Sequence, residues 1–159
     1  MTQYLKHVFV CTYGPYCWYD GDVDAIFDGL KRSISQAGLK DEIRINRAGC
    51  LNQCGNGPML VVYPDGIWYH RVQPEDVPEI VEQHLLGDAP VDRLRFDRPP
   101  GNHKRTERFP DGVHRMKQVE KRLDDERKAA RQALRREVRA NDSTEAGATP
   151  AFGSDRAEV

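Results

Sequence analysis

Four cysteines are the residues of this chain best suited to chemistry, and their spacing is uneven. Cys11 and Cys17 are separated by five residues, Cys50 and Cys54 by three, and 32 residues lie between the pairs. Thiols serve as nucleophiles, disulfide partners or metal ligands. Disulfides suit an oxidising compartment, yet the opening MTQYLKHVFVC reaches Lys6 and His7 before any sustained apolar run, unlike a secretory leader. A dithiol redox centre asks for C-x-x-C, which neither pair has. Structural zinc accepts four cysteines, but in tight knuckles, and five intervening residues are long for one. A [2Fe–2S] cluster takes two thiolates on each iron and tolerates unequal loops. The residues favour this last option and leave zinc as its rival. No stretch approaches the ~20 apolar residues that a bilayer requires, so the expectation is a cytoplasmic protein with reduced thiols and no membrane partner.

Something must bring the two pairs together. Residues 7–10 (HVFV) read as a buried strand, followed by a loop punctuated by Gly14, Pro15 and Gly21. Asp22 is placed to cap a helix with Val23, Ile26, Phe27, Leu30 and Ile34 on one face, stopped near Gly38. Residues 42–48 alternate Ile43 and Ile45 with Arg44 and Asn46, as a half-buried strand does. GCLNQCGNGP, 49–58, is a second glycine-rich loop. Residues 59–63 (MLVVY) form an apolar strand, Pro64-Asp65-Gly66 turns it, and 67–71 return as its hairpin partner. Pro74, Glu75 and Asp76 open a final helix with Val77, Ile80, Val81 and Leu85 inward, ended by Gly87.

A βαβ unit demands a parallel strand pair with a right-handed crossover, and the hairpin adds an antiparallel pair. The predicted class is therefore α/β, on the thioredoxin-like βαβ–ββα plan. Each cysteine pair then follows one of two neighbouring parallel strands, so both loops emerge at the same edge of the sheet.

The rest of the chain is different in composition. The whole is 38% apolar and 31% charged with a net charge of −1. Residues 1–92 hold 7 basic against 13 acidic groups, 93–139 hold 16 against 8, and 140–159 hold 1 against 4. Residues 97–112 (DRPPGNHKRTERFPDG) read as a linker. Residues 113–140 lack Pro and Gly and favour a charged helix of about 40 Å, with a thin stripe of Met116, Val119, Leu123, Ala130, Leu134 and Val138. Residues 141–159 are small and polar and read as a disordered tail. Few aromatics interleave the basic residues, which argues against a nucleic-acid partner.

Near the cysteines, Gly49, Gly55 and Gly57 are placed to let backbone approach sulfur. Tyr13, Tyr16, Trp18 and Tyr19 either exclude water there or simply pack. Thr12 either donates to a sulfur or serves the turn. His7, His70, His84, His103 and His114 do not cluster and read as structural or surface groups, with His84 a helix-dipole partner. Nucleotide and flavin motifs are missing, so no catalysis by the chain alone is expected.

HVFVC, together with GCLNQCGNGPMLVVYPDGIWYHRVQPEDVPEIVEQHLLG, resembles the thioredoxin-like [2Fe–2S] ferredoxins over roughly residues 5–96. These are similar in turn to the small iron–sulfur subunit of NADH dehydrogenase and of NAD-linked hydrogenases. The resemblance implies a one-electron carrier with redox partner proteins, and a homodimer, as in free-standing members. It maps the family's ligands onto Cys11, Cys17, Cys50 and Cys54, although the loop between the first two is shorter than many members have. The division expected is a domain at 1–96, a linker at 97–112, a helix at 113–140 and a tail at 141–159. Two other readings compete: a zinc-stapled interaction module, and an electron-feeding subunit of a larger oxidoreductase.

Overall fold

The structure, a computed structural model, describes residues 3–145, with side chains to residue 141. Four strands make one sheet in the order β2-β1-β3-β4. β1 is Lys6–Cys11, β2 Ile43–Ala48, β3 Leu60–Tyr63 and β4 Ile67–Tyr69. β1 pairs in parallel with β2 and antiparallel with β3, and β3 pairs antiparallel with β4. This is the βαβ–ββα arrangement that the sequence pattern called for.

Alternation along the strands sends Val8, Val10, Ile43, Ile45, Leu60 and Val62 into one core. Helix α2 (Val23–Gln36) buries the five positions marked by its periodicity: Ile26, Phe27, Leu30 and Ile34 in that core, and Val23 beside Cys11, Cys17 and Met59. The Asp22 side chain accepts the Ala25 N–H at 2.9 Å and starts the helix. Each fully buried aliphatic side chain here contributes about 1.5–3 kcal/mol. The helical stretch after β4, 74–86, winds in three ways: a 3-10 turn at Pro74–Asp76, α3 at Val77–Glu79, and a π turn at Ile80–Leu86. Pro78 has no N–H to offer a regular ladder. Val77, Ile80, Val81 and Leu85 face the core as expected.

Two segments depart from the sequence reading. Residues 15–20, read as loop, form a short helix α1 (Pro15–Asp20), entered through Gly14 at φ 88. Proline at the first position, with its fixed φ and missing N–H, is the local reason. Helix α4 runs Asp111–Glu145, so it begins earlier and ends later than 113–140. Of the tail expected at 141–159, residues 141–145 are helical and 146–159 lie outside the described residues.

The chain divides into two units, the first Met1–Lys117 and the second beginning at Gln118. Residues 97–112 pack within the first unit: Arg105 N–H donates to the Cys54 carbonyl at 2.8 Å, and Phe109 is buried. In the second unit Leu134 and Val138 are exposed, and Lys128 pairs with Asp124 one turn away. Among the described residues, no helix is long and apolar enough to cross a membrane.

Far from the cysteines, at the start of β1, lies a connected polar group. His84, 1% exposed, bonds through Nε2 to Asp65 at 3.0 Å and through Nδ1 to the Tyr69 hydroxyl at 2.7 Å. Burial holds His84 below its ordinary pKa, so the ring is neutral near pH 7. A carboxylate can only accept, so Nε2 carries the hydrogen and Nδ1 accepts from Tyr69. The Tyr69 oxygen accepts the Val91 N–H at 2.9 Å, and Lys6 pairs with Asp65 at 2.6 Å and Asp88 at 2.9 Å. His84 is thus a member of a buried network, a correction to its reading as a helix-dipole partner.

Candidate metal centre

The register of the parallel pair does the work of convergence. Cys11, the last residue of β1, lies opposite Ala48, the last of β2, and Cys50 follows two residues later. Cys11 N–H also donates to Met59 O at 2.9 Å, tying the same strand end to β3. Helix α1 returns Cys17 beneath Cys11, their sulfurs 3.6 Å apart. The Cys50 and Cys54 sulfurs are also 3.6 Å apart. All four predicted residues therefore meet at one end of the sheet, and all are free thiols, three buried and Cys50 exposed.

Those distances are informative. A disulfide needs about 2.05 Å, whereas two thiolates on one tetrahedral metal, each at ~2.3 Å, stand about 3.8 Å apart. Among the described residues, no three His, Cys, Asp or Glu side chains surround a single ion-sized point; the sulfurs come as two pairs. Within and across the pairs the thiols perturb one another. Hydrogen bonds from Cys11 and Cys54 push Cys50 down to about 2, and the bond from Cys11 lowers Cys17. Cys11 and Cys54, opposite those charges, are pushed well up. Asn52 N–H donates to the Cys50 sulfur at 3.3 Å. Closely held sulfurs that share protons in this way suit thiolate ligation, in which all four give up their protons.

The surroundings sort the remaining expectations. A Cβ on Gly57 would lie 2.5 Å from the Cys17 sulfur, so glycine is required for that close approach. At Gly55, with φ +92, a Cβ would strike the Arg105 carbonyl. Gly49 has open space where a Cβ would stand, so contact does not demand glycine there. Tyr16 is buried beside Cys54, while Trp18 (50%) and Tyr19 (56%) are largely exposed. Thr12 donates its hydroxyl to Ala48 O at 3.1 Å, so it ties the end of β1 to β2 and does not donate to a sulfur.

Residues 97–112 read as a linker, with the basic segment 93–139 folding onto the acidic body as one alternative, and in the structure residues 98–117 pack against this end of the molecule. Gln53 donates to Gly101 O and accepts His103 N–H, and Asn56 donates to His103 O at 2.7 Å. Arg108 pairs with Asp20. Phe109 and Val113 complete an apolar cluster with Tyr16 and Cys54, and the Tyr16 hydroxyl bonds His114 Nδ1 at 2.9 Å. The hint in the sequence was charge, an acidic stretch at 1–92 followed by a basic one at 93–139; the role of Phe109 carried no signal of its own.

No family profile matches the chain. It is 41% identical over 106 residues to a 2Fe-2S ferredoxin of Aquifex aeolicus (strain VF5), a match covering 61% of this chain and 96% of the relative. A 2Fe-2S ferredoxin of Clostridium pasteurianum is 35% identical over 103 residues, 60% of this chain and all of that protein. The crystal structure of the wild-type thioredoxin-like [2Fe-2S] ferredoxin from Aquifex aeolicus superposes with a TM-score of 0.55 at 41% identity, over 60% of this chain and 99% of the other. With this identity across nearly the whole length of its relatives, on the same backbone plan, the chain belongs to the thioredoxin-like [2Fe–2S] ferredoxins, which carry electrons and are not enzymes.

Proposed function

We propose that Cys11, Cys17, Cys50 and Cys54 hold one [2Fe–2S] cluster, Cys11 and Cys17 on one iron and Cys50 and Cys54 on the other, and that the chain carries single electrons between redox proteins. The observation that supports it is the pair of 3.6 Å sulfur separations at one end of the sheet, each close to the edge of a tetrahedral thiolate site. The cluster supplies reversible one-electron uptake. The chain's own residues hold, orient and shield it. β1 and β2 set the spacing of Cys11 and Cys50, α1 orients Cys17, and Gly57 admits its sulfur. The Asn52 N–H directed at Cys50 favours negative charge on that sulfur.

Two further parts belong to this reading. The four free thiols fit the cytoplasm, where thiols stay reduced. A homodimer is supported by the sheet face opposite the main core, where His7 stacks on Phe9 at 4.1 Å and Tyr63 stands 44% exposed; light scattering on the purified protein tests it.

Protein purified without oxygen should be red-brown, with about two irons and two sulfides per chain, and should give an EPR signal on one-electron reduction. Zinc in place of iron, in an iron-replete preparation, overturns the assignment.

A further inference from the structure

Residues 98–117 cannot be a passive tether, because their contacts are concentrated on the cysteine loop. Backbone and side chain both take part: Arg105 N–H on Cys54 O, the Gln53 and Asn56 amides on 101–103, and Arg108 on Asp20 and the Gly55 carbonyl. Phe109 then inserts where Tyr16 and Cys54 meet, its ring 4.9 Å from that of Tyr16 and 5.5 Å from that of Tyr19. The segment also brings charge. Lys104 precedes the residue bonded to Cys54, and Lys117 sits 3.9 Å over the ring of Tyr13, between Cys11 and Cys17. Cys50 remains the one exposed cysteine.

We propose that residues 98–117 are a fixed cap on the cluster end: Phe109 screens the Cys54 side from water, Lys104 and Lys117 raise the reduction potential, and the Cys50 side is left as the route for electrons. This rests on the cluster assignment above. One-electron reduction adds one negative charge to a cluster on four thiolates, so nearby fixed cations favour the reduced form. Removing water from the Cys54 side slows attack on its iron–sulfur bonds.

The test uses the full chain, purified anaerobically and carrying its iron. The series K104R, K104Q and K104E, and the same at Lys117, is titrated potentiometrically with EPR detection. The expected order is arginine equal to wild type, glutamine lower and glutamate lowest. Each Lys→Gln change should lower the reduced-to-oxidised ratio at a fixed potential roughly three- to tenfold, tenfold being 59 mV for one electron. F109A should bleach several-fold faster in excess chelator at the same starting iron content. Lys104 is exposed and Lys117 half-buried over the Tyr13 ring, so the charge series at Lys104 reads out even where F109A or a Lys117 variant fails to fold. Potentials that ignore the sign of the charge overturn the cap while leaving the cluster assignment intact. Wild-type protein with no iron overturns the cluster assignment itself.

Discussion

The two ends of β1 hold opposite kinds of chemistry within six residues. At Lys6, every charge meets its complement: the ammonium faces Asp65 and Asp88, and Asp65 also takes the His84 ring. Burial works against the Lys6 ammonium, yet Asp65 and Asp88 outweigh it and hold its pKa above the ordinary lysine value. Lys6 in turn holds Asp65 low. At Cys11, four groups of one kind, all soft donors, face each other. A protein's own hydrogen bonds favour complementary partners; gathering like with like is what ligation selects. The Lys6 end is thus built of complementary pairs that stabilise the fold, and the Cys11 end of like donors, the set that the proposed cluster would take.

Breaking one end should leave the other unchanged. The largest effect belongs to Cys17→Ser, which should lose or distort the cluster and cut the iron retained per chain severely, read by metal analysis and visible absorbance. Gly57→Ala comes next. Its added methyl lies 2.5 Å from the Cys17 sulfur, and overpacking of this kind costs about 1–3 kcal/mol. Reduced iron retention with an unchanged far-UV spectrum is the expected result.

At the other end, Tyr69→Phe removes the hydroxyl that joins Val91 N–H to His84 Nδ1. Leaving these buried groups unpaired should cost about 1–3 kcal/mol in denaturant unfolding. The EPR spectrum should not move; a shift would mean that the ends are coupled. The smallest effect is in pH. Because the folded His84 titrates below its ordinary value, the unfolded chain binds a proton first as pH falls through about 6.5. Stability is therefore lost on the acid side, by at most about 1.4 kcal/mol per pH unit. Asp65, held low, adds its own loss at more acid pH. His84→Gln should flatten the first decline, measured by unfolding between pH 7 and 5.

Periodic features were legible in the residues. The spacing of Val23, Ile26, Phe27, Leu30 and Ile34 announces a helix face, and all five are buried. The alternation of Ile43 and Ile45 announces a strand, and both are buried. The meeting of the cysteine loops followed from topology, since parallel neighbours deliver their ends to one side. Aperiodic features were not legible. Helix α1 has six residues and no repeat to detect. The cap of 98–117 is held by single amides, Gln53 and Asn56, and by one ring, Phe109, and its proline- and glycine-rich composition has the look of a tether. His84 looked like any histidine near a helix end, because nothing local marks Tyr69 and Asp65 as its partners.

By itself, then, the order of residues determined the strands and the helices with a repeating apolar face, and which four thiols share a sheet edge, since hydrophobic period and strand polarity are local properties. Only the tertiary structure decided the 3.6 Å sulfur separations, the need for glycine at 57, the neutral His84 and the cap over Cys54. Each of these depends on how closely segments distant in the chain approach one another, and that distance is set by packing, which no local pattern encodes.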